Sequence, residues 1–172
     1  MIMPSYAFDV DGVLVDPRGR IRRVLSYLNL SPDVAPSRLK GSIRRRFWEL
    51  FLSDRFLCYD KPRATGINLL LERLSRGSVF IVTGRPETMR KSTYMELISY
   101  GVPVSKVRML FRRRGDFRKD YEVKVELLGA IPDLVEVHDD SAKVLDAIAL
   151  LRPRIRLYLH YDDSYMLYRG SS

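Results

Sequence analysis

The chain has 172 residues, 46% of them apolar, which suits one globular domain with a real core and excludes a disordered or fibrous polypeptide. Its 30 Lys and Arg outnumber 21 Asp and Glu, and the net charge of +9 favours polyanionic partners. The single cysteine, Cys58, rules out an intrachain disulfide or a cysteine-rich metal site, and no apolar run approaches the roughly 18 residues of a membrane span.

The start, MIMPSYAFDVDG, lacks a basic stretch followed by an apolar core, so a cytoplasmic protein without a signal peptide is expected. The first element, SYAFDV (5–10), is an apolar strand that runs into two acids, Asp9 and Asp11. On an extended backbone these side chains share one side. Two like charges that close repel, and burying either one unpaired is costly. A divalent cation or a reacting phosphate offsets that cost best.

Residues 17–64 interrupt the pattern. No strand is expected there, but helical stretches such as RIRRVLSYLNL and PSRLKGSIRRRFWELFLSDRF are, and the segment reads as a small helical cap inserted after the first strand. From Asp16 to Ala64 twelve Lys and Arg face five acids, so this segment holds seven of the nine net positive charges. It is either a solvated helix face, with Phe47, Trp48, Leu50 and Phe51 turned inward, or a face for nucleic acid. Beyond it, helices predicted at 66–76, 86–100, 119–129 and 141–151 alternate with strands SVFIVT (78–83), KVRMLF (106–111), LVEVHD (134–139) and RIRLYLH (154–160). That alternation predicts an α/β, Rossmann-like parallel sheet flanked by helices. Counting the five strands in chain order, the expected sheet order is 5-4-1-2-3.

Ligands of open parallel sheets bind outside the carboxyl ends of the strands. Asp9 and Asp11 end the first strand; Thr83, Gly84 and Arg85 end the second. Asp139 and Asp140 end the fourth, and Lys124 lies in the helix before it. A lone DxD or TGR carries little information, whereas the whole set at successive strand ends carries much. A DxD that holds a metal-bound sugar nucleotide would leave the TGR and HDD unexplained. Asp139 or Asp140 also fits the N-cap of the helix SAKVLDAIALL. His138, His160 and Cys58 receive no role, and Asp162 and Asp163 read as surface charge.

The motifs DVDGV (9–13) and TGR (83–85), with Lys124 and the acid pair 139–140, resemble those of the haloacid dehalogenase superfamily of phosphohydrolases across essentially the whole chain. The resemblance implies Asp9 as a nucleophile that forms an aspartyl-phosphate and Asp11 as general acid–base. Neighbouring carboxylates are expected to raise the Asp11 pKa. It further implies Thr83 and Lys124 as phosphoryl contacts, and Mg²⁺ held by Asp9, Asp11, Asp139 and Asp140. The run RRRGDFRKDYEVKVELL (112–128) resembles the phosphatase domain of the polynucleotide kinase–phosphatase family. By position this implies functional roles for Arg20, Gly84, Arg85 and Asp120 on the substrate side, and nucleic-acid ends bearing a 3′-phosphate as substrate. No GxxxxGK[S/T] loop occurs, so the kinase half is absent. Ser141 stands where that family has Arg, and Val13 where Thr is commoner. Arg112, Arg113, Arg114 and Arg118 form a cationic loop, and Phe117 and Tyr121 are aromatic neighbours that either stack on bases or pack in the core. The expected function is a Mg²⁺-dependent phosphohydrolase acting on polynucleotide 3′-ends. A small-metabolite phosphatase and a non-catalytic nucleic-acid-binding module are the alternatives.

Overall fold

The computed structural model describes residues 2–170. In chain order its first half comprises β1 (Ser5–Phe8), β2 (Val15–Asp16), α1 (Arg18–Tyr27), α2 (Gly41–Phe51), β3 (Lys61–Pro62) and α3 (Ala64–Leu74). The second half comprises β4 (Ser78–Pro86), α4 (Arg90–Ser99), β5 (Arg108–Arg112), α5 (Asp120–Gly129), β6 (Leu134–Asp139), α6 (Ala142–Leu151), β7 (Arg156–Tyr161) and β8 (Ser164–Leu167). Six strands form one sheet in the order β5-β4-β1-β6-β7-β8, parallel except for the last pair.

Alternation along the strands builds a core on each face. Tyr6 and Phe8 of β1, with Val79 and Ile81 of β4, pack against Ile67 and Leu70 of α3 and Leu97 of α4. Ala7, Phe80 and Val82 point the other way, onto Leu128 of α5 and Val144, Leu145 and Ile148 of α6. Both faces are covered, so β1 and the centre of β4 read as continuous apolar runs rather than alternating ones.

The α/β class and the order of the five anticipated strands match the sequence reading. Three details differ. β1 stops at Phe8 rather than Val10, because the backbone N–H groups of Val13, Leu14 and Val15 all turn back to the Val10 carbonyl. The segment expected to lack strands contains β3, which pairs with β2 as a two-stranded ribbon. The acids read as plain surface charge, Asp162 and Asp163, form the turn of an unanticipated β7–β8 hairpin, with Asp162 at φ 45°.

Between β2 and β3, α1, α2 and the turn Asp54–Tyr59 enclose their own cluster of Val24, Leu25, Leu39, Phe47, Leu50, Phe51 and Phe56. Trp48, expected inward, is 38% exposed and meets Phe47 and Phe51 edge-on. Arg44, Arg45 and Arg46 lie exposed on the outer face of α2.

A buried polar chain links β6 to the edge hairpin. Glu136 accepts from Arg73 at 2.7 Å and meets His138 Nε2 at 2.6 Å; His138 Nδ1 meets His160 Nε2 at 2.8 Å, and His160 Nδ1 meets Arg63 Nη1 at 2.7 Å. Arginine only donates, so each link fixes the next tautomer, and the donors run from Arg63 through His160 and His138 to Glu136. Burial lowers His138, and burial together with repulsion from Arg63, and from His138 whenever it is protonated, takes His160 down to about 3, so both rings are neutral near pH 7. Arg63 also donates to the carbonyls of Val13 (3.1 Å), Asp162 (3.0 Å) and Ser164 (2.6 Å). The two histidines given no role in the sequence are thus internal links.

Gly66 lets α3 approach the turn after β1: a Cβ there would lie 1.8 Å from the Val13 carbonyl oxygen. Inside a helix, glycine normally costs about 1 kcal/mol relative to alanine. Here the sign reverses, and Gly66→Ala is expected to lower stability by roughly 1–3 kcal/mol, read from urea unfolding at unchanged m-value.

Candidate active site

The carboxyl ends of β1, β4 and β6 bring two electrostatic groups together. The first surrounds Asp9, which directly follows β1 and is buried. Its amide donates to the His138 carbonyl at 3.0 Å, and Asp9 Oδ1 accepts from the Val10 amide at 2.8 Å. Lys124, buried in α5, reaches Asp9 Oδ2 at 2.9 Å, Asp139 Oδ2 at 3.0 Å and Asp120 Oδ2 at 3.2 Å. Asp139 Oδ1 accepts from the Ser141 amide at 2.8 Å, and Ser141 itself caps α6 by accepting from the Val144 amide. The acid pair is therefore not the cap.

Carboxylate oxygens of Asp9, Asp139 and Asp140 lie within 4.8 Å of one another. With Asp120 that makes four carboxylates around one ammonium. Burial, opposed by Lys124 and reinforced by Asp139 and Asp140, raises Asp9 well above the usual carboxylate range. Desolvation and the charge of Asp139 push Asp140 up to about 7. Burial works against the charged form of Lys124, but Asp139 and Asp9 outweigh it and raise its pKa. Hard oxygen donors with this much uncompensated negative charge fit a divalent cation of the Mg²⁺ type.

The second group surrounds Asp11. Gly12 takes φ +87°, and a Cβ on it would lie 2.2 Å from Asp140 Oδ2, so the turn requires glycine. Past Asp9 the chain is no longer extended, and the Asp11 carboxylate is taken by two arginines. Arg85 Nε and Nη2 bind its two oxygens at 3.0 and 2.8 Å, and Arg20 Nη2 also contacts Oδ1. Burial would raise the Asp11 pKa, but Arg85 and Arg20 together hold it well below the usual carboxylate range. Two expectations are thereby corrected: neighbouring acids do not raise Asp11, and its carboxylate does not join the candidate metal cluster.

Both guanidiniums are fully buried. Arg20 reaches Asp60 at 3.0 Å and the Phe51 carbonyl at 3.0 Å, and stacks 4.0 Å from the centre of the Phe51 ring. Arg85 contacts Glu96 (3.0 Å), Thr93 (3.1 Å) and Asp60 (3.4 Å). Asp60, Thr93 and Glu96 were not singled out in the sequence, because each lies in a turn or helix away from the strand ends and belongs to no motif. A buried carboxylate partner for Arg20 and Arg85 was the only available signal.

Thr83 is buried, and its Oγ1 accepts from the Arg85 amide at 3.0 Å, which leaves its hydroxyl proton free to donate. At Gly84 a Cβ would lie 2.0 Å from Asp120 Oδ1, so glycine brings the Thr83 turn against the Lys124 helix. The Gly84 carbonyl accepts from Arg112 at 2.9 Å. Arg112 also holds the Asp116 and Arg118 carbonyls, and Arg118 pairs with Asp116 and Glu126. Half of the expected cationic loop is therefore committed internally.

No protein-family model matches the sequence, and no curated protein does. Among solved structures, a haloacid dehalogenase-like hydrolase from Streptococcus pneumoniae matches 90% of the chain over 83% of its own, at a TM-score of 0.63 and 14% identity. A chain of a Pnkp1/Rnl/Hen1 complex matches 91% of this chain at a TM-score of 0.60 and 19% identity. A second structure, described as the Pnkp1/Rnl/Hen1 RNA repair complex, matches 91% at 0.61 and 18%. This chain covers only 46% and 42% of those two chains, under half of their length. The protein has the haloacid dehalogenase-like fold.

Two arginines among three carboxyls, Asp11, Asp60 and Glu96, leave one surplus negative charge. Burial, offset by Arg20 but aided by Asp11 and Glu96, raises Asp60 to about 8, so at pH 7 it carries a proton that balances the group. A pKa raised by folding gives stability that is full in acid and is lost as pH climbs from about 4 through 8. The D60N protein lacks that loss. Its unfolding free energy, read from urea titrations at each pH, is expected to gain on the parent's steadily between pH 5 and 8, at no more than about 1.4 kcal/mol per pH unit, and then to level off.

Proposed function

We propose that this protein is a phosphohydrolase that removes a phosphoryl group through an aspartyl-phosphate on Asp9. The observation that carries the reading is the buried Lys124 bound to Asp9, Asp120 and Asp139, beside an Asp11 clamped by two arginines. Asp9, Asp139 and Asp140 would hold Mg²⁺, which when bound neutralises charge on the phosphoryl oxygens. Asp9 attacks phosphorus as the ester P–O bond breaks, and the departing oxygen takes a proton from Asp11. Water then gives a proton to Asp11 and attacks the same phosphorus, which releases inorganic phosphate and restores Asp9. Thr83 donates to a phosphoryl oxygen, while Lys124 orients Asp9 and offsets developing charge.

Asp11 needs a proton for the first step, and in the free protein Arg85 and Arg20 disfavour it. An arriving phosphate dianion opposes their field and raises the proton affinity of Asp11. The arginines thus keep the acid ionised until substrate is present, and afterwards favour the base that activates water.

The favoured substrate is a polynucleotide 3′-phosphate. Three features support it: the 112–128 resemblance, the basic segment around α1 and α2, and the likeness to a chain from an RNA repair complex. Arg44 and Arg45, exposed on α2, are suited to backbone phosphates. A small-metabolite reading is supported by the likeness to a Lactobacillus plantarum protein provisionally named a phosphoglycolate phosphatase, at a TM-score of 0.58 and 18% identity.

Phosphate release from 3′-phosphorylated oligonucleotide, 5′-phosphorylated oligonucleotide and p-nitrophenyl phosphate tests the proposal. Release from the 3′ end is expected with Mg²⁺, with loss in EDTA and a loss of more than about 10³-fold in Asp9→Asn. Release only from the small ester would move the assignment to a metabolite phosphatase. Salt-dependent oligonucleotide binding without any release would leave a binding module.

A further inference from the structure

The loop between β5 and α5 contains Phe117, which is 95% exposed. The loop around it is closely tied. Arg112 bonds to the carbonyls of Gly84, Asp116 and Arg118, the Asp116 amide donates to the Arg113 carbonyl at 3.1 Å, and Asp116 accepts from both the Arg118 amide and its guanidinium. A further ion pair joins Arg118 to Glu126 at 2.7 Å. The backbone of the loop is thus tied to itself and, through Gly84, Glu87 and Glu126, to its neighbours, while its one large apolar side chain is held out in water. Exposure of that kind on a rigid support suits a surface that something covers.

Charge narrows the occupant. Arg113 and Arg114 beside Phe117 have no ion-pair partner among the described residues, so the apolar ring sits in a locally cationic rim. Position narrows it further. Arg112 ties the loop to Gly84, next to Thr83, and its Nη2 lies 3.6 Å from Asp120, whose other oxygen holds Lys124. Three side-chain contacts thus lead from Arg112, at the base of the loop, through Asp120 and Lys124 to Asp9. A flat apolar ring on the same short loop as two unpaired arginines, tied to the Lys124 cluster, matches a single-stranded nucleic acid: a base for the ring, phosphates for the forks.

We propose that residues 113–118 form a base-stacking rim of the active site. Phe117 is the platform for a nucleobase near the end being processed, and Arg113 and Arg114 contact the adjoining backbone phosphates. The inference rests on the phosphohydrolase reading for its geometry, but its binding element can be measured apart from catalysis.

The test uses the full chain in two assays. In the first, kcat/KM on a 3′-phosphorylated oligonucleotide is divided by that on p-nitrophenyl phosphate. Phe117→Ala is expected to lower the ratio about tenfold, through KM, with Phe117→Trp restoring it. The second assay places Phe117→Trp in the Asp9→Asn background and titrates with an unphosphorylated oligonucleotide. Stacking quenches the new tryptophan beyond the change at Trp48 in the parent, and with Arg113→Ala and Arg114→Ala binding falls less steeply with salt than it does in the parent. If the parent releases no phosphate from oligonucleotides but the tryptophan is quenched, the rim stands and the substrate assignment falls. An unchanged ratio together with an unquenched tryptophan overturns the rim, whatever the parent hydrolyses. Concentration-dependent association of the parent that Phe117→Ala abolishes would also overturn it, by making the ring a contact between copies of this chain.

Discussion

One ammonium group holds the site together. Lys124 Nζ lies within hydrogen-bonding distance of carboxylates from three places in the chain: the end of β1, the start of its own helix and the end of β6. Buried acids tolerate one another only when something positive sits among them. Lys124 supplies that charge, but burial, reinforced by the neighbouring acids, still raises the proton affinities of Asp9, Asp139 and Asp140. Such a cluster of hard oxygen donors fits a divalent cation. Glycine at positions 12 and 84 lets Asp140 and Asp120 come that close.

Two residues further along the chain the electrostatics invert. Asp9 lies in a surplus of negative charge, while Asp11 lies between two buried guanidiniums. A straight strand could not separate them in this way, because both side chains would share one side. The separation comes from the turn that begins at Val10, and its tightness comes from three amides converging on one carbonyl. Two carboxylates that are near neighbours in sequence thus have opposite surroundings, one pushed toward its protonated form and the other held ionised.

Much of this was legible in the sequence, for identifiable reasons. Strands covered on both faces leave continuous apolar runs such as SVFIV, and the residue that ends each run falls at the ligand-binding edge. That rule alone finds Asp9, Thr83 and Asp139. Lys124 and Asp120 lie one helical turn apart, a spacing that carries weight only once the edge is known. Asp60, Thr93 and Glu96 stayed hidden because they reach the site only through Arg20 and Arg85, by pairings at irregular separations that leave no local pattern. β8 was missed because SYML follows two acids that read as surface. Asp11 was misjudged in its neighbours, since sequence proximity to Asp9 suggested shared surroundings that the turn removes.

The hairpin joining β7 and β8 has the outward features of a permissive site: two aspartates at an exposed turn on the edge of the sheet. Such turns usually accept inserted peptides with little effect. Here the carbonyls of Asp162 and Ser164 are partners of the buried Arg63, the Asp163 carbonyl accepts from Thr65, and the same Arg63 holds the Val13 carbonyl in the turn that carries Asp11. The far edge of the sheet is mechanically continuous with the turn that carries Asp11, and a tag or peptide grafted into this hairpin would be felt there.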